Sequence, residues 1–111
     1  IVRDLEGGII RKFGTLISAE GNSSYLGTNN FRAEAIDTWE SPSTGATYPS
    51  GWQISIPDKN LSLTLVPVVR RAEFDSRSTT LNYYWEGEVT GEGQRDEKPI
   101  TALGFVELTG Y

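Results

Sequence analysis

The sequence contains no cysteine and no histidine, and those two absences remove much of the usual protein chemistry. Without cysteine there is no disulfide frame and no thiol nucleophile. Without histidine there is no Ser-His or Cys-His relay, and without either there is no zinc-finger ligand set. Aspartate and glutamate are scattered singly, with no Ca²⁺-loop spacing, so neither a metal nor another cofactor is expected. No apolar run approaches the ~20 residues a membrane span requires. No signal peptide is visible, which leaves the compartment open. Ten basic residues stand against fifteen acidic ones, a net charge of -5, and no Lys/Arg cluster is longer than a pair. That is a poor electrostatic footprint for nucleic acid or anionic lipid, and neither is expected as a partner.

What is present is β pattern. At 111 residues the chain has the size of one domain, residues 1–111, with a modest core. Its C-terminal part holds two runs rich in aromatic and β-branched residues, Tyr83 to Val89 and Gly104 to Tyr111. Gly91 to Glu97 separates them, and the pair reads as a long antiparallel hairpin. Leu81, Tyr83, Trp85 and Val89 fall on one face of the first run, with Asn82, Glu86, Glu88 and Thr90 on the other. Tyr84 breaks the alternation. In the second run Leu103 and Phe105 place apolar groups on the face opposite Ile100, Ala102, Val106 and Leu108, as in a strand covered on both sides.

Upstream, Trp52, Ile54 and Ile56 alternate with Gln53 and Ser55. Leu61, Leu63 and Leu65 then alternate with Ser62 and Thr64 after a three-residue loop at Asp58 to Asn60. This predicts a second hairpin, ending at Pro67, which lacks a ladder donor. Phe31 to Glu40 fits either period, and the surrounding β pattern favours strand. Arg70 to Thr80 reads as a polar returning loop, and residues 1–30 as short strands with turns at Gly7-Gly8 and Glu20 to Ser24. The expected fold is all-β: an antiparallel sheet curled into a barrel or strongly curled sandwich, whose mouth can hold a lipophilic ligand.

Four segments carry a resemblance. They are Trp39-Glu40-Ser41-Pro42, Thr44 through Trp52, Tyr84-Trp85-Glu86-Gly87, and the closing Gly104-Phe105-Val106-Glu107-Leu108-Thr109-Gly110-Tyr111. In this order they resemble the lipocalin-like AttH and carotenoid 1,2-hydratase (hydroxyneurosporene synthase) family, over nearly the whole chain. The resemblance implies a lipocalin-like β-barrel that is the C-terminal of two tandem barrels. Its partner would then be an N-terminal lipocalin-like domain of the same polypeptide, and its ligand a lipophilic small molecule. It implies hydration or cyclisation chemistry on a carotenoid- or terpenoid-like substrate by the full-length protein. Many bacterial members carry the label of secreted hydrolase. The chain begins at Ile1 already in strand pattern, in keeping with a piece of a longer protein.

Adding water to an unactivated alkene needs a proton donor shielded from water, and aromatic faces to stabilise the cation. Glu86, beside Trp85 and Tyr84, is the first candidate acid and Asp37 the second. Glu86 reads first as a solvated or hydrogen-bonded carboxylate on the polar face of its strand, and this domain alone is not expected to be catalytic. Trp39, Tyr48, Trp52, Tyr84 and Trp85 are the candidate ligand-binding residues, with core packing the competing role for the tryptophans. Two other functions fit the same pattern: a non-catalytic lipid carrier, and a structural module with an interdomain interface at Leu103 and Phe105.

Overall fold

A computed structural model describes residues 1–111. It contains twelve strands, one 3-10 turn at Pro57–Lys59, and no α-helix. The strands are β1 (Val2–Arg3), β2 (Ile9–Arg11), β3 (Gly14–Ile17), β4 (Ser23–Leu26), β5 (Arg32–Ala35) and β6 (Thr38–Glu40). They continue as β7 (Thr47–Pro49), β8 (Trp52–Ile56), β9 (Leu61–Pro67), β10 (Glu73–Asp75), β11 (Tyr83–Arg95) and β12 (Lys98–Thr109). All pairings are antiparallel. The all-β, strongly curled antiparallel sheet expected from the alternation is what forms.

The main sheet is organised around β11. One of its edges pairs with β12 from Tyr84 to Arg95. The other pairs with β10 over Tyr83 to Trp85 and with β9 over Val89 to Arg95, and β8 and β5 extend the sheet beyond β9. Period-two alternation gives this sheet two faces. On the apolar face Trp85 and Val89 meet Trp52, Leu65, Val106 and Leu108, and the separate β6–β7 hairpin lays Ala46 and Tyr48 over them. Ile54, Leu61, Leu63 and Ile100 continue that face outside the cluster and remain half-exposed. The polar face carries Gln53, Ser62 and Thr64, joined by Gln53 Nε2 donating to Ser62 and Thr64 Oγ1 donating to Gln53.

Four details depart from the sequence expectations. The final hairpin turns on two residues rather than seven: Asp96 and Glu97 both have positive φ, 50° and 63°, the conformation a type I′ turn requires. The ladder therefore runs through Gly91 and Gly93. The second hairpin turns on Pro57 to Asn60, because Ile56 pairs directly with Leu61. The expected loop over residues 70–80 contains β10. Leu81 lies outside the strand, exposed and with φ of 59°.

The first 30 residues form two small hairpins, β1–β2 and β3–β4, apart from the main sheet. Only ten of the 111 residues are fully buried, and the radius of gyration is 15.4 Å. A compact chain of this length has about 13 Å, so much of the apolar surface of these strands remains uncovered.

Candidate functional site

The β6–β7 turn is held by its own hydroxyl groups. Ser41 N–H donates to Ala46 O at 2.8 Å and Gly45 N–H to Ser41 O at 2.9 Å. Gly45 takes the left-handed φ of 76° that closes the turn. Ser41 Oγ accepts from Ser43 N–H, and Thr44 Oγ1 accepts from Ala46 N–H. Both hydroxyl protons are thereby free to point away from the turn.

They point at Glu73. Its carboxylate accepts from Ser41 Oγ at 2.5 Å, Thr44 Oγ1 at 2.7 Å and the Tyr48 hydroxyl at 2.9 Å. β10 places Glu73 there by pairing it with Trp85. Burial pushes the Glu73 carboxyl up, but the three hydrogen bonds outweigh it and hold the group below the ordinary carboxylate value. Burial also raises the Tyr48 phenol well above its usual value, reinforced by the hydrogen bond to Glu73. Glu73 therefore stays anionic and Tyr48 stays protonated: the pair is a fixed anchor, unsuited to proton transfer.

An aromatic cluster surrounds this anchor. Trp39 stacks on Tyr48 with centroids 6.1 Å apart and planes at 17°, and Tyr111 meets the same ring at 5.6 Å. Trp52 and Trp85 tilt together at 6.2 Å. The buried Trp85 donates its indole N–H to Arg70 O at 2.7 Å. The Arg70 side chain donates to Ser50 Oγ and Thr38 O and pairs with Asp37. Four of the five aromatic residues singled out from sequence, Trp39, Tyr48, Trp52 and Trp85, thus lie on one face. The fifth, Tyr84, sits on the opposite face against Phe74, at 5.4 Å.

The two candidate acids are not part of this cluster. Glu86 is exposed on the polar face, directly opposite Glu107 of β12. Asp37 is exposed and ion-paired with Arg70. Within these 111 residues nothing shields either carboxylate from water. The partly buried carboxylate is Glu73, which falls within the polar loop expected from sequence. One local sign of it exists: Glu73-Phe74-Asp75 alternates like a strand.

A second concavity lies on the polar face between β9, β11 and β12, a shallow groove of about 510 Å³ lined by Thr64, Val66, Thr90, Glu92, Thr101 and Leu103 among others. Leu103, read from sequence as an interface residue, lines it, whereas none of the candidate acids or candidate ligand-binding aromatics does. No helix is long and apolar enough to cross a membrane.

Comparison with known proteins adds the following. A family profile described as AttH-like matches residues 2–111. A solved AttH protein of Nitrosomonas europaea is 30% identical over 98% of this chain and 32% of its own, with a TM-score of 0.82. Kievitone hydratase of Nectria haematococca is 25% identical over 87% of this chain and 29% of its own, with a TM-score of 0.71. The chain therefore spans about a third of the length of each of these solved structures. No curated protein matches it.

Proposed function

The chain belongs to the AttH-like family, and on that premise we propose that it is a C-terminal lipocalin-like domain forming one wall of a pocket for a lipophilic, carotenoid- or terpenoid-like substrate. The observation that carries this reading is the half-covered apolar face. Ile54, Leu61, Leu63 and Ile100 extend it from the aromatic cluster around Tyr48 and Trp85 and are only partly covered by their own chain. A contiguous exposed apolar surface of this kind marks a site of contact with a partner or ligand. Here the occupants are the N-terminal lipocalin-like domain of the same polypeptide and the substrate held between them.

The likeness to a hydratase supports hydration of a carbon–carbon double bond as the reaction of the longer protein. A proton adds to one carbon, water adds to the cation left on the other, and the oxonium so formed returns a proton to the conjugate base of the acid. This domain contributes aromatic faces: Trp52 and Trp39, both half-buried, present ring surface that can stabilise a developing cation. Glu73 cannot supply the proton because three donors hold it ionised. Glu86 and Asp37 are solvated here, and an acid able to protonate an alkene must be shielded. The proton donor accordingly lies in the rest of the polypeptide.

The test uses the full-length protein with lycopene and squalene presented in detergent micelles, read by tryptophan quenching and product mass. Binding weakened about tenfold by Trp52→Ala is expected, since an aromatic contact contributes about 1–1.5 kcal/mol. Glu86→Gln and Asp37→Asn are expected to keep turnover. Loss of turnover with binding retained in either variant would assign that residue as the acid instead. Binding without any conversion would favour the lipid-carrier reading. No binding of either probe would overturn the proposal.

A further inference from the structure

Arg95 and Lys98 flank the turn of the β11–β12 hairpin, and the register puts both on the apolar face of the sheet. Arg95 pairs with Lys98 on one side and with Leu61 on the other, and Leu61 pairs in turn with Ile56. Directly opposed residues share a face. Every other residue that β8 and β9 present to this side is apolar. The same side of β11 from Trp85 to Gly93, and of β12 from Ile100 to Leu108, holds only apolar residues and glycine. Glu73, at the far end of the face, is already satisfied by three hydroxyl groups. Two cations therefore stand together at one end of an otherwise uncharged surface.

Their charge has no fixed partner. The chain forms two salt bridges, Arg70–Asp37 and Arg77–Asp75, and neither includes Arg95 or Lys98. Like charges directly across a ladder are unfavourable by themselves. The nearby acids do not relieve the pair by contact. Asp96 Oδ1 accepts from Asn60 Nδ2 at 3.0 Å, and Glu97 occupies the turn at positive φ. Glu20, in the β3–β4 turn, is held below the ordinary carboxylate value chiefly by a hydrogen bond with Ser18 and in small part by the charge of Arg95, but the two close no ion pair. An anion seated between Arg95 and Lys98 would remove the repulsion and accept from both groups.

What lies beside the cations decides what that anion is attached to. The next row on this face is Leu63, Gly93 and Ile100, and the row after it is Trp52, Leu65, Gly91 and Ala102. Leu63 and Ile100 are half-exposed, and Gly93 has no side chain to obstruct the approach to Arg95. At a rise of about 3.3 Å per residue, Arg95 to Gly91 covers about 13 Å. A molecule with its charged end at Arg95 and Lys98 lays its apolar chain across Leu63 and Ile100 and brings its far end to the Trp52 ring.

We propose that the ligand of this face is a terpenoid-like acid, with its carboxylate held between Arg95 and Lys98 and its hydrocarbon chain directed toward Trp52. This rests on the pocket reading above and names the class of molecule the pocket takes.

The experiment compares retinoate with retinol on the full-length protein by tryptophan quenching. The two probes share one polyene and differ at the end group, carboxylate against hydroxyl. Retinoate is expected to bind about tenfold more tightly, the gain a hydrogen-bonded charge provides. Arg95→Gln with Lys98→Gln, both at exposed sites, is expected to abolish that preference and leave retinol binding unchanged. The charge-keeping pair Arg95→Lys with Lys98→Arg is expected to retain it. Equal affinity for the two probes overturns this proposal while the pocket reading stands. A preference that survives the double glutamine variant also overturns it, since the carboxylate is then held elsewhere. Failure of both probes to bind overturns the pocket reading together with this one.

Discussion

The hydroxyl of Tyr48 donates to the carboxylate of Glu73 across 25 residues of sequence at 2.9 Å, and this bond fastens the β6–β7 hairpin to the main sheet. Tyr48→Phe removes one of three donors and leaves a partly buried carboxylate less satisfied. The expected loss is about 1–2 kcal/mol of stability by urea denaturation. Glu73→Ala leaves three hydroxyl groups without their acceptor and is expected to cost more, about 2–4 kcal/mol. Equal losses in the two variants would mean that Glu73 does not act as the hub.

Acid should loosen the same anchor. Glu73 has a folded-state pKa below its unfolded value, so its contribution is fully present above the unfolded pKa of about 4.3. It is lost as pH falls through the folded value. Thermal melts between pH 6 and pH 3 are expected to show a steeper acid decline for the natural chain than for Glu73→Gln, which cannot titrate. The alkaline side has the opposite sign. The Tyr48 phenol is raised on folding, so its contribution holds below about pH 10 and fades as pH rises above it. Tyr48→Phe should flatten that alkaline loss.

Two glycines of β11 separate backbone crowding from side-chain crowding. A Cβ on Gly93 would run into the Ser62 carbonyl oxygen and lie 2.9 Å from Leu63 Cα, both backbone atoms. Gly93→Ala is expected to cost more than about 3 kcal/mol, because no side chain can move aside. A Cβ on Gly91 would meet chiefly the end of the Leu65 side chain, which can rotate, with the Thr64 carbonyl oxygen farther off at 3.1 Å. Gly91→Ala is expected to fall in the ordinary overpacking range of about 1–3 kcal/mol. Denaturation midpoints in the reverse order would contradict this.

The Asp96-Glu97 turn can be improved. Glu97 holds a φ of 63°, a conformation glycine adopts without strain. Glu97→Gly creates the Asp-Gly pair favoured in type I′ turns and is expected to stabilise the hairpin by about 0.5–1 kcal/mol. A lower melting temperature for this variant would argue against a type I′ turn.

The parts of the fold that were readable are those whose signal is local. Trp52-Ile54-Ile56 and Leu61-Leu63-Leu65 alternate so cleanly that their pairing follows from period and turn chemistry alone, and Trp85 and Val89 were identifiable as buried from their own strand. Tyr84 announced itself by breaking the alternation, but its neighbour Phe74 lies on β10, which only the three-dimensional fold brings close. Glu73 was unreadable for the same reason. Its environment is made by Ser41, Thr44 and Tyr48, 25 to 32 residues upstream, and no periodicity encodes a partner at that distance. The aromatic half of the site was legible because four large rings must go somewhere dry. The polar half depends on geometry that a linear pattern does not contain.

The pairing of β11 with β9 sets a clock on folding. The β8–β9 and β11–β12 hairpins each close over a turn of two to four residues, which takes microseconds. Joining them requires Leu61–Pro67 to find Val89–Arg95 while the intervening residues are still unstructured, and such long-range closure is slow. Two relaxation phases should therefore separate in a stopped-flow experiment. Trp85, whose ring meets Trp52 across that junction, would change its fluorescence in the slower one.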